Sequence, residues 1–266
     1  MTRKLLLCFA VLTIASVNAH ARSSGNIQRG GLGFLFPDHN SFKNPGQFAT
    51  AHGSGLEFEY DSQSSTGGTK TVKPSFVYGN GNFGLGLNGA RSGSSLSATG
   101  QYVDVVQAGL GFSTMKERMT IGAAYAKIVS GPNLLGDGLI DLTLTLQGAR
   151  RMGAVFGFGY HRILGANTHS ATLGFGYGFQ SSNSLEMNIE FNNLDDVNDF
   201  TASGFFNLGR QWFYMGAGYS FAKVAETHSG QARVGFILGK VDVSGLISAP
   251  FSGGTLTYGA TLRAVF

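Results

Sequence analysis

Polar and apolar residues take turns along most of this chain, in blocks about ten residues long. In the last block, Leu256, Tyr258, Ala260, Leu262, Ala264 and Phe266 fall on one side and Thr255, Thr257, Gly259, Thr261 and Arg263 on the other. Successive side chains of a strand point to opposite faces, so this period of two predicts an extended strand with one apolar face. The same alternation predicts strands over 55–61, 72–79, 82–89, 102–113, 119–128, 140–147, 153–162, 170–180, 184–192, 200–208, 211–221, 231–239, 241–248 and 254–266. The block 140–147 is among the cleanest, with Ile140, Leu142, Leu144 and Leu146 set against Asp141, Thr143, Thr145 and Gln147. The block 211–221 is ambiguous, because Phe213, Met215, Ala217, Tyr219 and Phe221 face away from two further aromatics, Trp212 and Tyr214. Pro74 lacks the N–H that a ladder needs and is therefore expected near the end of its strand.

A soluble sandwich would carry the same alternation with polar residues on its outer faces, whereas one face of nearly every strand here is aromatic or aliphatic. Helical membrane spans do not fit either, since the only long apolar run stands at the start of the chain. Strand lengths cluster near the ~9 to 11 residues that cross a bilayer at a tilt. Connections alternate between roughly eight to twelve residues and about two to five, the asymmetry of outer-membrane barrels. The expected fold is all-β: a transmembrane antiparallel β-barrel of about 14 strands, closed because every backbone donor in hydrocarbon needs a partner. An even number of strands returns the C-terminus to the periplasmic side. A terminal strand that ends on an aromatic, here Phe266, resembles the signature by which bacterial outer-membrane barrels are recognised by their assembly machinery.

Composition agrees with that compartment. Charged residues are 13% of the chain against a usual ~25%, while Gly (41 residues) and Phe (22) are abundant. Arg3 and Lys4, an apolar core over Leu5 to Ser16, and Ala19-His20-Ala21 read as a secretory signal ending at residue 21. Its removal leaves 17 basic against 15 acidic residues and takes away the only cysteine, Cys8, so no disulfide or thiolate metal site is expected. The small net charge gives no nucleic-acid signal. Three segments follow: a signal peptide over 1–21, an N-terminal plug or periplasmic segment over 22–53, and the barrel over 54–266. Phe34, Leu35, Phe36, Phe42 and Phe48 argue for a segment tucked into the lumen, since a solvated tail has little use for them.

Function then rests on the inward face. Its expected lining is Gly, Ser, Thr and Asn with the charges Glu57, Glu59, Lys73, Asp141, His161, Glu186, Glu190, Arg233, Asp242 and Arg263. Glu57, Glu59, Glu186 and Glu190 are expected to pair with Lys73, Arg233 and Arg263 across the lumen rather than to bind a metal, and no cofactor is implied. No Gly-x-Ser-x-Gly, His-Glu-x-x-His or calcium-loop spacing occurs, so the chain is not read as an enzyme. Basic residues in the short turns (Lys116, Arg118, Arg150, Arg151, Arg210 and Lys240) suit headgroups or solvent. The partners expected are outer-membrane lipids and lipopolysaccharide, the barrel-assembly machinery and a small hydrophobic ligand.

The order of a signal peptide, a Gly-rich stretch with Asn44-Pro45-Gly46, and Leu56-Glu-Phe-Glu-Tyr60 opening the first of fourteen strands resembles the FadL family of outer-membrane transporters for long-chain fatty acids and aromatic hydrocarbons. In that family an Asn-Pro-Ala motif lies in an N-terminal plug; Asn44 and Pro45 match its first two positions and Gly46 replaces the Ala. The family is longer, with large extracellular loops that are short and polar here. The resemblance implies passive uptake of small hydrophobic molecules and an inward kink of the third strand, which Gly84, Gly86 and Gly89 would accommodate. A general diffusion porin for hydrophilic solutes, or a structural barrel without transport, is the alternative.

Overall fold

The computed structural model describes residues 44–50, 52–63, 69–94, 102–114, 118–131, 137–149, 152–165, 168–180, 183–209 and 212–266. The signal sequence expected over 1–21 and the plug residues Phe34, Leu35, Phe36 and Phe42 lie outside the described residues. Fourteen strands form the wall: β1 (His52–Gln63), β2 (Thr69–Asn80), β3 (Phe83–Ser94), β4 (Tyr102–Thr114), β5 (Met119–Ser130), β6 (Gly138–Ala149), β7 (Met152–Leu164), β8 (Thr168–Gln180), β9 (Asn183–Phe191), β10 (Phe200–Gly209), β11 (Phe213–Ala222), β12 (Thr227–Leu238), β13 (Val241–Pro250) and β14 (Thr257–Val265). Each pairs antiparallel with its neighbours in sequence, and β14 closes on β1, with Phe58 opposite Leu262. The barrel is therefore closed and has fourteen strands, as the alternation predicts.

Exposure along the wall is inverted relative to a soluble protein. Phe112 and Phe156 are 53% and 54% exposed, whereas Thr145 and Arg263 on the other face are 2% exposed. Outward rings touch mainly one another across strands, as in Phe83–Phe112 (centroids 5.4 Å apart) and Phe156–Phe175 (5.2 Å). In water such a surface would forgo about 25 cal/mol for every Å² of apolar area left wet, so its solvent has to be hydrocarbon.

Three details depart from the pattern-based expectation. Most strands run past their expected ends, for example β12 from Thr227 rather than Gln231 and β2 from Thr69 rather than Val72, because polar residues at a barrel rim extend the ladder without showing alternation. The connections at one end accordingly shorten to three to eight residues, against two to four at the other. Pro74 lies in the middle of β2 and not near its end. It still pairs with Phe58 of β1, while the β2–β3 ladder lapses at Lys73 and Pro74, so the missing N–H falls on the side where the ladder lapses. In β11 the aromatic conflict resolves with Tyr214 inward and fully buried and Met215 outward; Trp212 precedes the strand, at its turn.

Candidate functional site: the inner wall of the barrel

Residues 44–50 lie against the inner faces of β2 to β6, chiefly on β3, β4 and β5. Pro45–Thr50 forms a short 3-10 helix, begun by the fixed φ of Pro45 and held by Gln47 N–H to the Asn44 carbonyl (3.0 Å) and Thr50 Oγ1 to the Gln47 carbonyl (2.9 Å). Asn44, Phe48 and Ala49 are completely buried. Asn44 Nδ2 donates to Thr145 Oγ1 at 2.7 Å and Gly46 N–H to Thr143 Oγ1 at 3.3 Å, both on β6.

Glycines make this approach possible. A Cβ on Gly122 would stand 1.9 Å from the Gly46 nitrogen; on Gly84, 2.2 Å from the Phe48 carbonyl; on Gly111, 2.4 Å from the Pro45 oxygen; and on Gly109, 2.8 Å from Phe48 Cε2. Four inward glycines on β3, β4 and β5 thus form a bed on which a second backbone rests directly. Gly46 itself is closely packed, since a Cβ there would meet Thr120 Oγ1 and the Ile121 carbonyl carbon at 3.1 Å.

Two further layers lie on the same part of the wall, nearer the end with the longer connections. Asp141 of β6 accepts from Gln107 Nε2 of β4 (3.0 Å) and meets His161 Nδ1 of β7 (2.7 Å), while His161 Nε2 lies 3.3 Å from Thr172 Oγ1 of β8. Beyond that polar layer, Ile128 and Ile163 are buried together, with Val103, Val105 and Leu139 packed against them. From the rim inward the wall therefore reads apolar, polar, then glycine with the 3-10 helix seated on it.

Across the lumen, from β9 through β14 to Lys73 of β2, long side chains project from among small inward residues. Lys73 Nζ meets Glu59 Oε1 at 2.6 Å and Asp61 Oδ2 at 2.9 Å. Asp242, Arg263 and Glu57 face one another in register across β13, β14 and β1, with Arg263 Nη1 3.8 Å from Asp242 Oδ2. Tyr214 Oη donates to Asp242 Oδ1 at 3.0 Å, its ring lying over Gly235, where a Cβ would come within 2.2 Å. Phe205 covers Gly216 and Gly218 in the same manner. Glu186 and Arg233 are buried, and Glu190 is half-buried opposite Thr172 and Thr201.

Gly84 belongs to the seat of the 3-10 helix and Gly86 is buried, whereas a Cβ on Gly89 would meet only Pro74, with Cγ 3.6 Å away. β3 holds one register with β4 from Phe83 to Gly93. Phe266 follows β14, its N–H bonded to the Ser54 carbonyl at 2.9 Å. Among the described residues no group of three or more His, Cys, Asp or Glu side chains could hold a metal ion.

Asp61, Gln107 and Phe205 are not among the residues expected to line the lumen, and the face of Tyr214 is ambiguous in the sequence. Asp61 carried a usable signal, since it has the inward parity of Glu57 and Glu59. Phe205 carried none and the parity of Tyr214 was equivocal, because an aromatic on an inward position reads as a register error until the glycine beneath it is known.

No protein-family model and no curated protein matches this chain in sequence. Among solved structures it is similar to the porin of Rhodopseudomonas blastica. Three mutants of that porin each superpose with a TM-score of 0.50 at 11% identity, covering 80% of this chain and 99% of the porin. At that identity the likeness concerns the fold, and the chain shares with the porin a closed, antiparallel β-barrel architecture.

Proposed function

We propose that this protein is an outer-membrane channel for the passive uptake of small hydrophobic molecules, with the segment ahead of β1, residues 22–50, acting as its hatch. The observation that carries the reading is the layered inner wall: an apolar patch around Ile128 and Ile163 near the rim, a polar layer at Asp141 and His161, and the seated Asn44–Thr50 segment beyond it. A ligand that leaves water at the patch gains about 0.8 kcal/mol per buried CH₂, enough to concentrate it there without any energy source. The Gln107–Asp141–His161 layer satisfies its own polar groups, so a sliding apolar molecule does not have to break a bond to water. Passage then needs the 3-10 helix to leave its bed, where two side-chain hydrogen bonds and Phe48 hold it. The resemblance to the FadL family supports the same substrate class, and the porin-like fold supports a channel.

The charged sector of Glu57, Glu59, Asp61, Lys73, Asp242 and Arg263 favours a second reading, a diffusion porin for hydrophilic solutes. Proteoliposomes separate the two. Uptake of a fluorescently labelled fatty acid, without osmotic swelling in arabinose or maltose, is the expected result. Rapid swelling in the sugars with no protein-dependent uptake of the fatty acid would overturn the hydrophobic reading.

A further inference from the structure

The outward face carries its charge unevenly. Lys70 of β2, Arg91 of β3, Lys127 of β5 and Arg162 of β7 point outward and are exposed, and all four lie toward the end with the longer connections. Among the described residues no Lys or Arg stands on the outward row of β9 to β14, and Asp104 is the single outward acid of the described strands. That acid is already engaged by Arg91, which reaches it through Nε (2.7 Å) and Nη2 (2.9 Å) beside the Tyr102 ring. Lys127 and Arg162 have no ion-pair partner among the described residues.

These two cations stand one outward step above tyrosines. Lys127 follows Tyr125, whose hydroxyl bonds the Asp137 carbonyl at 2.5 Å, and Arg162 follows Tyr160, whose hydroxyl bonds His169 Nδ1. Tyrosines at this position mark the level where hydrocarbon gives way to headgroups. A cation just above that level extends its head toward the interface. Lys127 and Arg162 are separated by β6 alone, so their Cα atoms stand roughly 12 Å apart at the usual strand spacing and rise, close enough for two long side chains to converge on one phosphate. His169 sits directly opposite Arg162 in the β7–β8 ladder and adds a third nitrogen-bearing side chain.

We infer that Lys127 and Arg162, with His169 beside them, form an outward-facing site for the phosphate of a lipopolysaccharide molecule in the outer leaflet. The complementarity is direct: two cations at headgroup depth, one of them a planar guanidinium suited to phosphate oxygens, on a wall whose acyl-facing surface below is Leu142, Phe158 and Leu173. The inference rests on the outer-membrane placement proposed above, but not on what the lumen carries.

Native mass spectrometry of the full chain tests it, with diphosphoryl lipid A, dephosphorylated lipid A and phosphatidylethanolamine as probes. Diphosphoryl lipid A is expected to be retained preferentially. The K127Q/R162Q double variant is expected to bind it about tenfold more weakly, from two lost cation–phosphate contacts at the surface. An R118Q/K240Q variant, altered at the opposite end, is expected to bind as the wild type does. Equal retention of diphosphoryl and dephosphorylated lipid A by the wild type would overturn the site, and this comparison holds even if the variant fails to fold. Undiminished binding by a folded double variant would overturn the residue assignment as well. Failure of the wild type to form a barrel in any bilayer, read from its circular dichroism, would instead refute the placement on which both proposals depend.

Discussion

The inner wall has two halves that solve the same problem by opposite means. Where residues 44–50 rest on β3 to β6, the inward positions are Gly84, Gly109, Gly111, Gly122, Thr143 and Thr145, and the space is taken by that segment of the same chain. From β9 round to β2, long charged or aromatic side chains such as Glu186, Phe205, Tyr214, Arg233, Arg263 and Lys73 reach over small inward neighbours and fill the space themselves. Fourteen strands enclose more than their own side chains fill, since about eight strands already suffice for a packed interior. Inward glycine is therefore no sign of an open pore: Gly84, Gly109, Gly111 and Gly122 are the places where the seated segment lies within 3 Å of a missing Cβ. The charged half instead places ionic groups away from water, and it is tolerable only because Lys73 meets two carboxylates and Arg263 lies between Asp242 and Glu57.

The comparison predicts that the halves fail differently. Lys73→Met leaves the buried Glu59 and the half-buried Asp61 without their cation and is expected to destabilise the barrel by roughly 3 to 5 kcal/mol, seen as a lower urea midpoint for unfolding from detergent micelles. It is expected to leave the lumen closed. Gly122→Val is expected to do the reverse. Its side chain competes for the position of the Gly46 nitrogen, at an overpacking cost of about 1–3 kcal/mol that is relieved by unseating the segment. Hydrogen exchange should then show amide protection lost over 45–50 while the strands keep theirs. If the strands lost protection together with the segment, the seat would be part of the barrel's own stability and not a separable element.

Smaller effects sharpen the same contrast. Tyr214→Phe removes the hydroxyl that donates to Asp242 and is expected to cost about 1 kcal/mol in the same urea titration, with no change in the seat. Gly245→Ala is expected to stay within about 0.5 kcal/mol of the wild type. Gly245 faces outward, and its nearest neighbour to a new Cβ is 3.9 Å away, so it separates the effect of losing glycine from the effect of filling the seat.

Much of this architecture was legible in the residues. Ile140 to Gln147 states its strand and its two faces without help, and Phe58 and Leu262 are outward both by parity and in the closed ladder. Strand ends were less legible, because Thr227-His-Ser-Gly230 is polar on both faces and gives no alternation to read. Pro74 misled for a different reason: its cost depends on which neighbour would have received its N–H, a property of the ladder and not of the residue. Glu59, Asp141, Arg233 and Arg263 are buried side chains of the wall, and Asp61 is a partner of Lys73 that the pattern did not single out. The seat of the 3-10 helix could not be read at all. Gly157, Gly174 and Gly176 look the same in sequence as Gly109, Gly111 and Gly122, and only the fold decides which glycines meet Pro45 to Ala49.

Planar-bilayer conductance of the purified protein, with and without residues 22–50, tests the central claim most directly. The seated segment predicts a closed or barely conducting intact barrel and a large, steady conductance after the deletion. Large steady conductance in the intact protein would contradict the claim, as would a folded deletion variant that stays closed.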